Sequence, residues 1–311
     1  MLLCCAAVVQ AAPAPDQIAA YRALVQQDVR LAIVSHRLAL SNATFCKRRE
    51  RNPGWVLHDE RQYPDPEIAR TSFSFRRPVA VSAVVPGGAA DRLGIKAGDG
   101  LIDPNDNGAN MQKESGHKQS ADRIETIQAE IRQQIAANGS VRLTLDTAEG
   151  PKQFVLSPPE ICASRFWVDA RTNLDAGADG DGVRITEGFM AFTSNDDAEL
   201  AALVAHELAH NLLGHRERLK SPKRRIKDVL ATEIEADRLS VWLMANAGYD
   251  PTAALRFTER HGRKYGWGIL SDGTHLRWKN RLKEMQAEID MMAHTEKQNG
   301  LLPPPLLAGG G

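Results

Sequence analysis

Aromatic side chains are scarce in this 311-residue chain, at 5%, too few for a platform on which nucleic-acid bases stack. A dominant charge is missing too. Lys+Arg and Asp+Glu both number 39, so no overall basic field points to nucleic acid or to an anionic membrane surface. No stretch approaches the ~18 uninterrupted apolar residues of a membrane span, so the reading includes no transmembrane segment in the mature chain. Cysteine is limited to four residues, two of them adjacent at Cys4 and Cys5.

What is present describes a globular protein. Hydrophobic residues make up 42% and charged residues 25%, and the length suits about two domains of ~150 residues. The opening "MLLCCAAVVQAAPAPD" is a short apolar run closed by small residues and prolines, the pattern of a secretory leader. The leader is read over 1–12, and small residues at Val9 and Ala11 make a cut before Ala12, at its end, plausible. No Lys or Arg precedes the run, and Cys4 or Cys5 offers the alternative of a lipid anchor. Export, with the bacterial periplasm as destination, makes a single disulfide between the remaining pair, Cys46 and Cys162, the expected state. Two buried free thiols are the other reading.

Residues 16–40 carry apolar side chains at helical spacing (Ile18, Leu24, Val25, Val29, Ile33, Leu38), which predicts one amphipathic helix. It opens an N-terminal segment, 13–72, whose remainder over 47–72 reads as polar and mostly irregular. From Phe73 valine-rich pieces, a Pro-Gly-Gly turn and "GIKAGDGLI" follow, with a helix predicted over 120–137 and a hairpin over 141–146 and 153–156. Residues 84–102 resemble the pattern V-x-x-G-S-P-A-x-x-A-G-[IL]-x-x-G-D-x-[IL] of PDZ domains attached to bacterial periplasmic proteases. The resemblance, over 73–160, implies a β-rich module that adds a peptide ligand to a sheet edge. The loop expected to hold the ligand's carboxylate, "FSFRRP", lacks the usual glycine pair, so a purely structural module is the alternative.

In 161–297 a strand, an acidic glycine turn and a second strand lead to "VAHELAHNLLGH". Asp175, Asp179 and Asp181 invite a calcium site, but the ligand offsets of an EF-hand loop are missing and a hairpin turn is preferred. Ser194 is the expected N-cap of a helix that continues to about Leu219. On it, His206 and His210 are four apart, differ by about 40° and face one way, so both can reach one zinc ion. Glu207 is turned from direct ligation but can reach a metal-bound water. Catalytic zinc takes three protein ligands, and "EIEAD" on the next helix offers Glu233 as the third. Asp237, one turn on, can orient a histidine. His215 falls nine positions after His206, where a third histidine of the H-E-x-x-H-x-x-G-x-x-H type needs ten, and reads instead as a helix-end charge. Residues 298–311, ending in "NGLLPPPLLAGGG", lack periodicity and read as a disordered tail.

The pieces "TSNDDAELAALVAHELAHNLLGH", "ATEIEADRLSVWLMANAGYDP" and "GTHLRWKNRLKEM" resemble the gluzincin family of the CAAX prenyl endopeptidases and heat-shock membrane proteases, closest to its soluble periplasmic branch. That resemblance implies an α+β chain with a mainly helical zincin-like peptidase unit and one zinc ion on His206, His210 and Glu233. It makes Glu207 the general base, with Asp237 and Arg281 in support. His275, in "Thr-His-Leu" where relatives have Thr-His-Pro, would assist near the metal. The implied activity is zinc-dependent endopeptidase cleavage of unfolded or misassembled envelope polypeptides. The rival is a chaperone or adaptor that works through the PDZ groove with little turnover.

Overall fold

The computed structural model describes residues 15–102, 117–221, 225–265 and 278–308. The proposed leader, His275 and the last three residues lie outside them. The fold is α+β. In chain order the elements are α1 (Pro15–Ser41), β1 (Arg49–Arg51), β2 (Trp55–Asp59), α2 (Pro66–Phe73), β3 (Val79–Val84), α3 (Ala89–Arg92), β4 (Gly100–Ile102), α4 (His117–Asn138), β5 (Val141–Thr147), β6 (Gly150–Leu156) and β7 (Glu160–Cys162). There follow β8 (Arg165–Asp169), β9 (Ala176–Ala178), β10 (Gly182–Thr186), α5 (Glu187–Phe192), α6 (Asp197–Leu212), α7 (His215–Arg218), α8 (Ile226–Asn246), α9 (Thr252–Tyr265), α10 (Trp278–Met292) and α11 (Pro305–Ala308).

A five-stranded antiparallel sheet, order β2-β3-β4-β5-β6, packs α4 against one face. Its core joins Leu57, Val81, Ile95 and Leu145 to Ile131 and Ile135 of the helix. The stretch 47–72, read as mostly irregular, therefore contains an edge strand and the helix α2. The β2 signal is weak because "WVLHD" is short and mixes polar with apolar residues; pairing with β3 decides it. The loop leading into that edge is Asn52-Pro53-Gly54 and not "FSFRRP", which joins α2 to β3. Gly98 has φ +91° and its α-hydrogen side faces the Ser74 carbonyl, where a Cβ would sit at 2.9 Å, so only glycine fits the turn. Asp99, buried, accepts from the Lys96 amide at 2.9 Å and closes the same turn.

The second unit carries the three-stranded sheet β8-β10-β9, with β8 and β10 parallel and β9-β10 a hairpin. Its acidic turn is stapled by Asp179, whose Oδ1 accepts from the amides of Asp181 and Gly182 at 2.9 and 2.7 Å. Those bonds account for Asp179 as a turn former, while Asp175 and Asp181 pair with Arg184 and Arg48. Helix α6 packs on this sheet, α8 and α9 pack on α6, α10 packs on α8 and α9, and α1 lies across both units with Leu31, Val34 and Leu38 in the helical core. Cys46 and Cys162 form a disulfide beside the β1–β7 pair, tying the end of α1 to the start of the second unit. No helix of the described residues is long and apolar enough to cross a membrane.

Three local expectations are corrected. The N-cap of α6 is Asp196, which accepts from the Ala198 and Glu199 amides at 2.9 and 3.1 Å, and Ser194 lies before it. A carboxylate also suits the positive end of the helix better than a hydroxyl. The helix ends at Leu212 and not near Leu219, because Gly214 takes the left-handed conformation that stops helices. Residues 298–308 are docked: Leu302 exchanges two hydrogen bonds with Asn246, and Leu302, Leu306 and Leu307 pack on the helical core. Composition suggested disorder there because the apolar residues show no period, yet a few leucines suffice once a groove awaits them.

Candidate metal centre

Helix α6 buries Leu200, Ala201, Leu203, Val204 and Leu208 against the core. Between Glu199 and His210 only His206, Glu207 and His210 are left partly exposed. Helix α8 packs alongside and brings Glu233 to the two histidines. The Nε2 atoms of His206 and His210 are 3.2 Å apart. Glu233 Oε2 lies 3.5 Å from His206 Nε2, and its Oε1 lies 3.5 Å from His210 Nε2. Donors bound to one ion at ~2.0–2.1 Å in a tetrahedron are about 3.3 Å from each other. The three contact distances fit that figure, and two imidazoles with one carboxylate are a donor set that zinc accepts. The three residues could hold a metal ion.

Each histidine is backed on its far side. Asp237 Oδ1 sits 3.0 Å from His206 Nδ1, within ion-pair range though short of hydrogen-bond alignment. Asp237 is itself buried and is gripped by the Arg281 fork from α10, with Nε and Nη2 each 2.7 Å from a carboxylate oxygen. His215, five positions past His210 but turned back by Gly214, places Nδ1 2.9 Å from His210 Nδ1. Its Nε2 is 3.0 Å from Glu235 Oε2, which Arg218 also holds. His215 is 1% exposed, so it is not the solvated helix-end charge that the sequence suggested. The missed signal was the glycine just before it, which ends α6 and redirects the next side chain.

No family model and no curated protein matches this chain. The centre therefore rests on its own geometry and electrostatics.

Burial alone would push the His206 imidazole down, but its contacts with Asp237 and Glu233 raise it to about 10. His210 is driven the other way, to about 3, by burial and by the charge on His206. Burial would likewise raise Glu233, yet His206 holds it at about 2. Against its own burial Asp237 stays well below the usual carboxylate range, chiefly through Arg281. Burial lifts the Glu207 carboxyl to about 7, with His206 opposing and Glu233 adding to the rise. In the metal-free protein, then, the proton on His206 balances the two carboxylates on either side of its ring. A divalent ion would take over that proton's role of balancing them.

Of the residues singled out from sequence, His206, Glu207, His210, Glu233, Asp237 and Arg281 are brought together. Cys46 and Cys162 are joined elsewhere, and His275 lies outside the described residues. Glu235 and His215 were not expected to belong.

Proposed function

We propose that this chain is a zinc-dependent endopeptidase. The observation that carries the reading is the cluster of two imidazoles and one carboxylate at mutual contact distances of 3.2–3.5 Å, with the partly buried Glu207 next to His206 on the same helix. A bound zinc ion would supply Lewis acidity, polarising a carbonyl and making water acidic near neutral pH. His206, His210 and Glu233 would hold it, and Asp237 with Arg281 would keep the His206 ring in place. Glu207 would accept a proton from the attacking water and return it to the leaving amine. A carboxylate next to the attacking water can serve both directions of that transfer.

A polypeptide substrate is favoured by β9, an edge strand packed beside α6 with no further strand pairing on its outer side among the described residues. Backbone groups on such an edge can pair with an extended chain. His275 is assigned its role by resemblance only. The disulfide supports an oxidising, exported setting, which agrees with unfolded or misassembled envelope proteins as substrates and with the periplasm as location.

A second reading, a peptide-binding adaptor with low or gated turnover, draws on one observation. A cavity of about 650 Å³ lies between the outer edge of β2 and α4, in the position a PDZ peptide would take. Its far wall is formed by α1 and β8. Glu207→Gln separates the two. With zinc present the parent chain is expected to cut casein, and the variant to lose about 10²–10⁴-fold. Equal cleavage by both would remove Glu207 from the chemistry and the peptidase reading with it.

A further inference from the structure

The far side of His210 has a device that the metal-ligand triangle does not require. His210 Nδ1, His215 and Glu235 form a continuous chain, at 2.9 Å and 3.0 Å, that ends on the Arg218 guanidinium at 2.5 Å. The His210 and His215 rings meet edge to face, with centroids 4.8 Å apart. On an uninterrupted helix the residue five positions on would point about 140° away from His210. The contact exists because Gly214, at φ +65°, breaks α6 and restarts the chain as α7.

The order of protons along this chain is forced from its outer end. Glu235 accepts from both terminal nitrogens of Arg218, at 2.5 and 3.2 Å, and turns an acceptor oxygen toward His215. The nearer nitrogen of His215, Nε2, must then carry the hydrogen. A neutral imidazole has one N–H and one lone pair, so His215 Nδ1 is the acceptor. His210 Nδ1 meets that lone pair and must donate. His210 Nε2 is thereby left with its lone pair aimed at Glu233 and His206, on the side where a cation would sit. The reversed order would set a lone pair of His215 against the carboxylate of Glu235.

We infer that His215 and Glu235 are positioning residues that fix the tautomer and ring orientation of His210 for metal binding. The assignment rests on the metal-site reading of His206, His210 and Glu233. It makes the two halves of the centre alike in plan: Arg281 and Asp237 stand behind one histidine, and Arg218, Glu235 and His215 behind the other.

Two measurements on the full chain test it. Nitrogen-15 NMR of the metal-free protein reports the His210 tautomer directly. The expected signal is Nδ1–H in the parent and a mixture of tautomers in His215→Leu. Chelator competition with Zn²⁺ then reads affinity. Removal of an outer partner of a metal-bound histidine weakens binding by about 10–100-fold, and His215→Leu should fall in that range. His215→Asn keeps an acceptor oxygen for His210 and should recover most of the loss. Unchanged circular dichroism of the metal-free variants keeps folding out of the comparison. An Nε2–H tautomer in the parent, or a His215→Leu chain that holds Zn²⁺ as tightly as the parent, overturns the inference. A parent with the expected tautomer but no stoichiometric Zn²⁺ binding would instead sink the metal-site reading and leave the ordering of His210 standing.

Discussion

Metal uptake by this protein should remain steeply pH-dependent well above neutrality. An ordinary histidine site stops competing with protons above its usual pKa of about 6.5, so its affinity levels off by pH 7–8. Here the His206 ring lies between two carboxylates, with Asp237 at 3.0 Å and Glu233 at 3.5 Å, and keeps its proton to about 10. An incoming cation must displace that proton. Protonation opposes binding, so raising the pH helps. Below about pH 10 each unit should tighten binding about tenfold, which makes roughly 100-fold between pH 7 and 9. Chelator competition at pH 7, 8 and 9, corrected for the chelator's own titration, gives the slope. Calorimetry at pH 8 in buffers of different ionisation enthalpy should count about one proton released per ion. A flat affinity from pH 7 to 9 with no proton released would refute the electrostatic account of His206. The same shift acts on stability. Because the folded pKa lies above the unfolded value of 6.5, the contribution of His206 to the metal-free fold is full below pH 6.5. It disappears as pH rises through about 10, and a bound cation removes that dependence.

Other perturbations follow from the same geometry. Glu233→Ala removes the third donor and should abolish stoichiometric metal in elemental analysis of purified protein, while circular dichroism stays that of the parent. Arg281→Leu takes from the buried Asp237 its two-pronged guanidinium partner and leaves it the His206 ring at 3.0 Å. Breaking a buried pair this way costs roughly 3–5 kcal/mol, readable by urea unfolding, and a loss under 1 kcal/mol would show that solvent reaches Asp237. Replacing Cys46 and Cys162 together by Ala opens a link between residues 116 positions apart. It should lower stability by up to about 4–5 kcal/mol in the same assay, with metal affinity little changed.

The parts of this protein that its sequence determined are those set within a few turns of chain. His206 and His210 share a face because helical periodicity is local, whatever surrounds the helix. The helix predicted over 120–137 and the hairpin beginning at Val141 are present for the same reason, with helix ends a few residues further out. The hairpin turn at Asp179 follows from side chains that bond their own backbone. Other features depended on what lies across the fold. Local pattern offered Ser194 as a cap, but the chain's path gave Asp196 the place. "WVLHD" becomes an edge strand only because β3 is there to pair with it. Glu233 joins the histidines through the packing of α8 on α6, which spacing cannot specify. His215 read as a helix-end charge and Glu235 gave no signal because their partners are 5 and 20 positions away, at offsets that match no single element. Side chains that meet through a helix break or across two helices leave no period to read, and tertiary packing alone places them.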